Sequence, residues 1–199
     1  MRSTFITLAC LCLILTSVQG FAGEQQSEMP MDMQAMMEMY QKLAMPGEPH
    51  KLMASLAGSW TTHTKEWTEP GRPPMESTGT AELKMVLGGR FLHQEISGNM
   101  MGQPFSGIAI DAYDNLRKKY VHAWMATMGT AIVMMEGTAS ADGRTITLTG
   151  QHAEPGGGHM SHRAIWKIVD ANTQTFVMYG AHHGGKEKKA LEVTYTRKR

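Results

Sequence analysis

Leu56-Ala57-Gly58-Ser59-Trp60 is the stretch on which the fold turns. It ends a short helical run and opens a long series of strand-like segments. The chain then finishes on Tyr195-Thr196-Arg197, followed by two basic residues. A Gly-x-Trp on a first strand and an arginine on a last strand suit a closed up-and-down barrel. The indole plugs one end, and the guanidinium lies over its face where the last strand returns to the first. Such a cation–π contact contributes ~0.5–2 kcal/mol, depending on how dry it is. Trp60 and Arg197 are therefore assigned to barrel closure.

Working outward from Trp60, the hydrophobic period is two, broken by Gly, Pro, Asn and Asp. The strand-like runs are Ser59–Trp67, Ser77–Leu87, Arg90–Ser97, Pro104–Ala112 and Lys118–Thr127. They continue as Thr130–Ser140, Arg144–Ala153, Met160–Val169, Thr175–His182 and Glu187–Arg197. These are ten segments of about eight to eleven residues, nearly all joined by hairpin-length loops. No helical pattern interrupts them. A meander this regular closes, because closure alone removes exposed edges. Eight strands already enclose room for one small ligand, and diameter grows with strand number. The expectation is an all-β chain with a closed ten-stranded antiparallel barrel, hollow rather than solid, over residues 58–199. Strands of this length make a cup roughly 25–35 Å deep.

On the other side of Trp60, residues 23–57 form a polar tether and two helices. Met33, Met36, Met37, Tyr40 and Leu43 recur at spacings of three and four within Pro30–Ala44. Pro46-Gly47 stops that helix, and a shorter one, Pro49–Leu56, leads into Gly58. Both are expected to cap one end of the barrel. Residues 1–22 read as a signal peptide: Arg2, then the apolar run Phe5–Leu15, too short to span a bilayer, then small residues for cleavage at Gly20 or Ala22. The expected location is periplasmic or secreted.

Removal of that segment takes away Cys10 and Cys12, the chain's two cysteines. An exported domain with no disulfide must be held by its core. About 177 residues suffice for a sizeable interior. Without Arg2, the 18 remaining Lys and Arg match 18 Asp and Glu. That balance argues against a nucleic-acid or membrane-surface footprint.

Several ordered motifs carry a resemblance. They include Pro46-Gly47-Glu48-Pro49-His50-Lys51-Leu52, Pro70-Gly71-Arg72-Pro73-Pro74-Met75-Glu76 and Leu87-Gly88-Gly89-Arg90-Phe91. Met101-Gly102-Gln103-Pro104-Phe105-Ser106-Gly107 and Tyr113-Asp114-Asn115 add to them, with Trp124, Thr130, Gly137 and Tyr195-Thr196-Arg197. Over about residues 36–199 the chain resembles a bacterial family, number fifteen seventy-nine in the domain-of-unknown-function series. The resemblance implies a calycin-like barrel, similar in shape to lipocalins, fatty-acid-binding proteins and nitrobindins. It implies no activity. In that family's pattern an Asp stands two places after the tryptophan, where this chain has Ala126.

Strand parity gives the candidate site. Tyr120, His122, Trp124 and Ala126 share one face. Met160, His162, Ala164, Trp166 and Ile168 share another, as do Leu191, Val193, Tyr195 and Arg197. Phe91, His93 and Glu95 oppose Leu92, Gln94 and Ile96. With the aromatic faces inward, the ligand-binding candidates are His93, Tyr120, His122, Trp124, His162, Trp166 and Tyr195. An apolar cavity with a few polar groups is the usual chemistry of a small-molecule pocket. The expected partner is a small apolar or amphipathic molecule.

The alternatives rest on softer signals. A haem needs one axial histidine aimed into the cup, and His122 and His162 are available. His159-x-x-His162 with His182-His183 could gather imidazoles at loop ends. Met29, Met31, Met33, Met36, Met37 and Met39 resemble thioether tracts that take Cu(I), but methionine equally makes adaptable apolar faces. Glu95, Asp111, Glu136 and Glu192 lie on strands with no spacing that pairs them. No nucleophile elbow or phosphate loop is present. The sequence thus assigns no catalytic residue, no metal ligand and no cofactor.

Overall fold

A computed structural model describes residues 32–199, except Pro70, Met101 and His183. The expected signal peptide and tether, with Met29 and Met31, lie outside the described residues. Two helices, α1 (Met33–Ala44) and α2 (Glu48–Ser55), precede ten strands. These are β1 (Gly58–Glu66), β2 (Met75–Val86), β3 (Phe91–Met100), β4 (Gln103–Asp114) and β5 (Lys119–Ala126). Then follow β6 (Val133–Ala139), β7 (Thr145–Ala153), β8 (His159–Ile168), β9 (Thr173–His182) and β10 (Lys188–Arg197). Every strand pairs antiparallel with its sequence neighbours, and β1 pairs with β10, so the sheet closes. All ten strands lie where the period-two runs place them.

The seam closes at the quoted stretch. Trp60 stands opposite Arg197 in the β1–β10 register. The guanidinium carbon lies 4.2 Å from the centre of the Trp60 ring. Its Nη1 donates to the Ala57 carbonyl at 2.7 Å, Nη2 to Ser55 at 2.8 Å and Nε to Ala171 at 2.8 Å. Arg197 therefore satisfies carbonyls at the exit of α2, which have no partner within the helix, and ties in the β8–β9 turn. Gly58 has φ +133°, and a Cβ there would stand 2.7 Å from Arg197 Nη1. The glycine of the Gly-x-Trp is thus required by both the backbone and the guanidinium. Trp60 is fully buried, and its indole N–H donates to the Leu56 carbonyl at 3.0 Å.

The floor of the barrel is built where α2 covers this end. His50, Met53 and Leu56, spaced by three, turn inward and are buried. Met53 and Leu56 join Trp60, Leu83, Leu92 and Tyr120 in one apolar cluster. The Gly47 amide donates to His50 Nδ1 at 3.0 Å, which caps the helix start. Burial, with Arg90 nearby, holds that imidazole below its ordinary pKa, so it stays a neutral acceptor. The burial lies in α2 rather than α1. The first helix buries none of its residues; Met33, Met37 and Tyr40 are exposed. It is held at the barrel end by Asn115, whose side-chain amide donates to the Leu43 and Met45 carbonyls.

Candidate functional site

Above that floor the barrel is hollow. A cavity of about 420 Å³ runs to the mouth opposite α2. Its middle wall is apolar, carrying Trp124, Met135, Trp166, Phe176, Met178 and Val193. This volume falls within the range of small-molecule sites, roughly 300–1,000 Å³.

The deep polar group is set by hairpin register. Asp111 and His122 are direct partners across β4 and β5. Asp111 is 2% exposed. Its Oδ1 lies 2.7 Å from His122 Nδ1, and its Oδ2 accepts from Gln94 Nε2 at 2.5 Å. A buried carboxylate needs such donors. Holding a proton on Nδ1 leaves Nε2 as the ring's second functional nitrogen, and the ring lines the cavity. The His122 ring also packs on Phe176, 5.6 Å between centres. Tyr195, buried on β10, lines the same depth, and burial with Asp111 nearby holds its hydroxyl protonated far above the ordinary phenol range.

A pair of imidazoles stands nearer the mouth. His152 Nδ1 and His162 Nε2 are 2.7 Å apart, with the rings nearly parallel. One must donate and the other accept, so the pair resists holding two charges. Burial first, and His152 second, push His162 below the ordinary histidine value.

Trp124 owes its position to a missing side chain. A Cβ on Gly107 would lie 2.2 Å from Trp124 Cη2, so the indole lies against bare backbone. Phe105 flanks it at 6.0 Å. Across the cavity, the Trp166 indole N–H donates to Gln174 Oε1 at 2.7 Å.

Of the sequence candidates, His122, Trp124, His162, Trp166 and Tyr195 meet in the cavity wall. Two do not. Tyr120 belongs to the floor, edge-on to Tyr113 at 4.9 Å and covered by the apolar cluster. His93 is on the outer face, 3.6 Å from Glu95, because Leu92, Gln94 and Ile96 take the inner side of β3. Leu92 is fully buried and sets that parity. Gln94, Asp111, His152 and Glu66 are the wall residues that sequence reasoning passed over. Asp111 stood in view but unpaired. The four-residue loop after Asp114, closed by Lys118 at φ +55°, sets the register that brings it to His122.

The His159-x-x-His162 cluster does not assemble. His159 opens β8, so it faces away from His162. His182 Nδ1 pairs instead with Glu154 at 2.5 Å, and His183 lies outside the described residues. Among the described residues, no three His, Cys, Asp or Glu side chains are gathered to hold a metal ion.

The fold is similar to the crystal structure of Rv2717c from M. tuberculosis, with TM-score 0.56 and 16% identity over 77% of this chain and 99% of that one. A redesigned beta barrel aligns more loosely, with TM-score 0.38 and 15% identity over 74% and 95%. No curated protein matches the sequence. The family model described as "Protein of unknown function (DUF1579)" matches residues 45–197, spanning the second helix and all ten strands, and the chain belongs to that family.

Proposed function

We propose that the barrel binds a small apolar or amphipathic molecule in its interior, without a catalytic step. The observation that carries this reading is the cavity: an aromatic and thioether wall above one buried polar cluster. Export after cleavage within residues 1–22 belongs to the same proposal and is supported by the apolar run Phe5–Leu15. Native mass spectrometry of protein taken from its source should show a retained small molecule that leaves on denaturation. A bare mass, with no uptake of alkyl probes, would contradict the reading.

A second reading, a haem held by His122, draws on one observation. The Nδ1 of His122 is engaged by Asp111, the arrangement that orients a ligating imidazole through its other nitrogen. Trp124, Trp166 and Phe176 supply flat apolar walls. Visible absorption separates the two readings. A Soret band lost in His122→Ala supports haem, and a colourless protein that ignores added haem removes it.

A further inference from the structure

The charge of the cavity wall narrows the ligand class; this step rests on the ligand-binding reading above. Among the described residues no lysine or arginine lines the cavity. Its charged liners are two carboxylates, Asp111 in the depth and Glu66 at the mouth. Asp111 is satisfied by Gln94 and His122. Glu66 is not: its Oε1 is buried and has no hydrogen-bond donor. Its cross-strand neighbours, Met75 and Leu191, are apolar. Two lysines near this rim are engaged elsewhere. Lys65 reaches Glu76, and Lys189 pairs with Glu192 while its ammonium stands 4.5 Å from the centre of the Trp67 ring.

An acid head group entering this cup would meet two carboxylates and no fixed cation. An ammonium would meet an acceptor that lacks a donor, above aromatic faces that favour cations. We propose that the cavity selects organic amines: the apolar body lies against Trp124, Trp166 and Phe176, and the ammonium binds the Glu66 carboxylate at the mouth. Burial lifts the Glu66 carboxyl above its usual range, and a bound ammonium would hold it ionised.

Calorimetric titration of the mature chain at pH 7 with octylamine, octanol and octanoate tests this, because the three share one tail. The amine should bind about tenfold more tightly than the alcohol, as expected of a charge-assisted hydrogen bond, and the acid more weakly than both. In Glu66→Gln the amine should fall to within about threefold of the alcohol, with the alcohol unchanged. Should glutamine disturb the fold, Glu66→Ser is read in the same way. Octanoate binding as tightly as octylamine, or an amine preference that survives both substitutions, would overturn the assignment. If none of the three probes binds, the ligand-binding reading itself fails, a different result from binding without amine preference.

Discussion

Asp111 shows how one side chain holds the deep site together. Its carboxylate is almost sealed from solvent, yet it receives donors from two different strands, Gln94 on β3 and His122 on β5. Removing it leaves both donors facing a dry void. Asp111→Ala should therefore lower stability by about 1–3 kcal/mol, measured by urea unfolding. It should also free His122 to rotate, visible as broadened imidazole resonances. An unchanged unfolding midpoint would show that the network carries no weight. At this scale the sequence was only partly legible. The aromatic residues on β5 and β8 announced their face by alternation. Gln94 did not, because it shares its face with Leu92 and Ile96, opposite the aromatic Phe91 and His93. An aromatic inner face points His93 into the cup, whereas the aliphatic row beside it takes that side. Asp111 required knowledge of loop length, and loop length fixes register.

Arg197 belongs to β10, but its effect is on the joint between β1, β10 and α2. Three carbonyls and one aromatic face depend on its guanidinium. Arg197→Ala should cost about 2–3 kcal/mol, with lost charged hydrogen bonds the largest part. Arg197→Lys should recover little of it, because an ammonium lacks the planar fork. Hydrogen exchange should quicken first along the β1–β10 seam. Uniform quickening around the barrel would contradict this role. The element scale is where the sequence speaks most plainly. Period-two runs and Gly/Asn/Asp turns located every strand, and Gly58, Trp60 and Arg197 announced the seam. The contrast between the two helices was less visible. Methionine spacing gave α1 an apolar face, yet α1 buries no residue and α2 supplies His50 and Met53 to the floor.

For the whole molecule, the cavity sets a pH dependence with two sides. Burial depresses His162 below the ordinary value of 6.5. Its contribution to stability is present above 6.5 and is lost as pH falls through the lowered value. Burial raises Glu66 above the ordinary value of 4.5. Its contribution is present below 4.5 and is lost as pH rises through the raised value. Urea midpoints of the unliganded protein should thus carry two opposed slopes, one falling as pH drops below 6.5 through His162 and one falling as pH rises above 4.5 through Glu66. His162→Gln should remove the first slope, and Glu66→Gln the second. Variants whose profiles run parallel to the parent would show that neither group is linked to folding.

All of these effects assume a hollow barrel, closed at Trp60 and able to admit a guest. Anomalous diffraction from crystals soaked in 1-bromooctane tests that most directly. A hollow barrel gives a bromine peak in its interior, with the alkyl chain ordered among Trp124, Trp166 and Phe176. Bromine confined to the outer surface, around an interior filled by side chains, would contradict it.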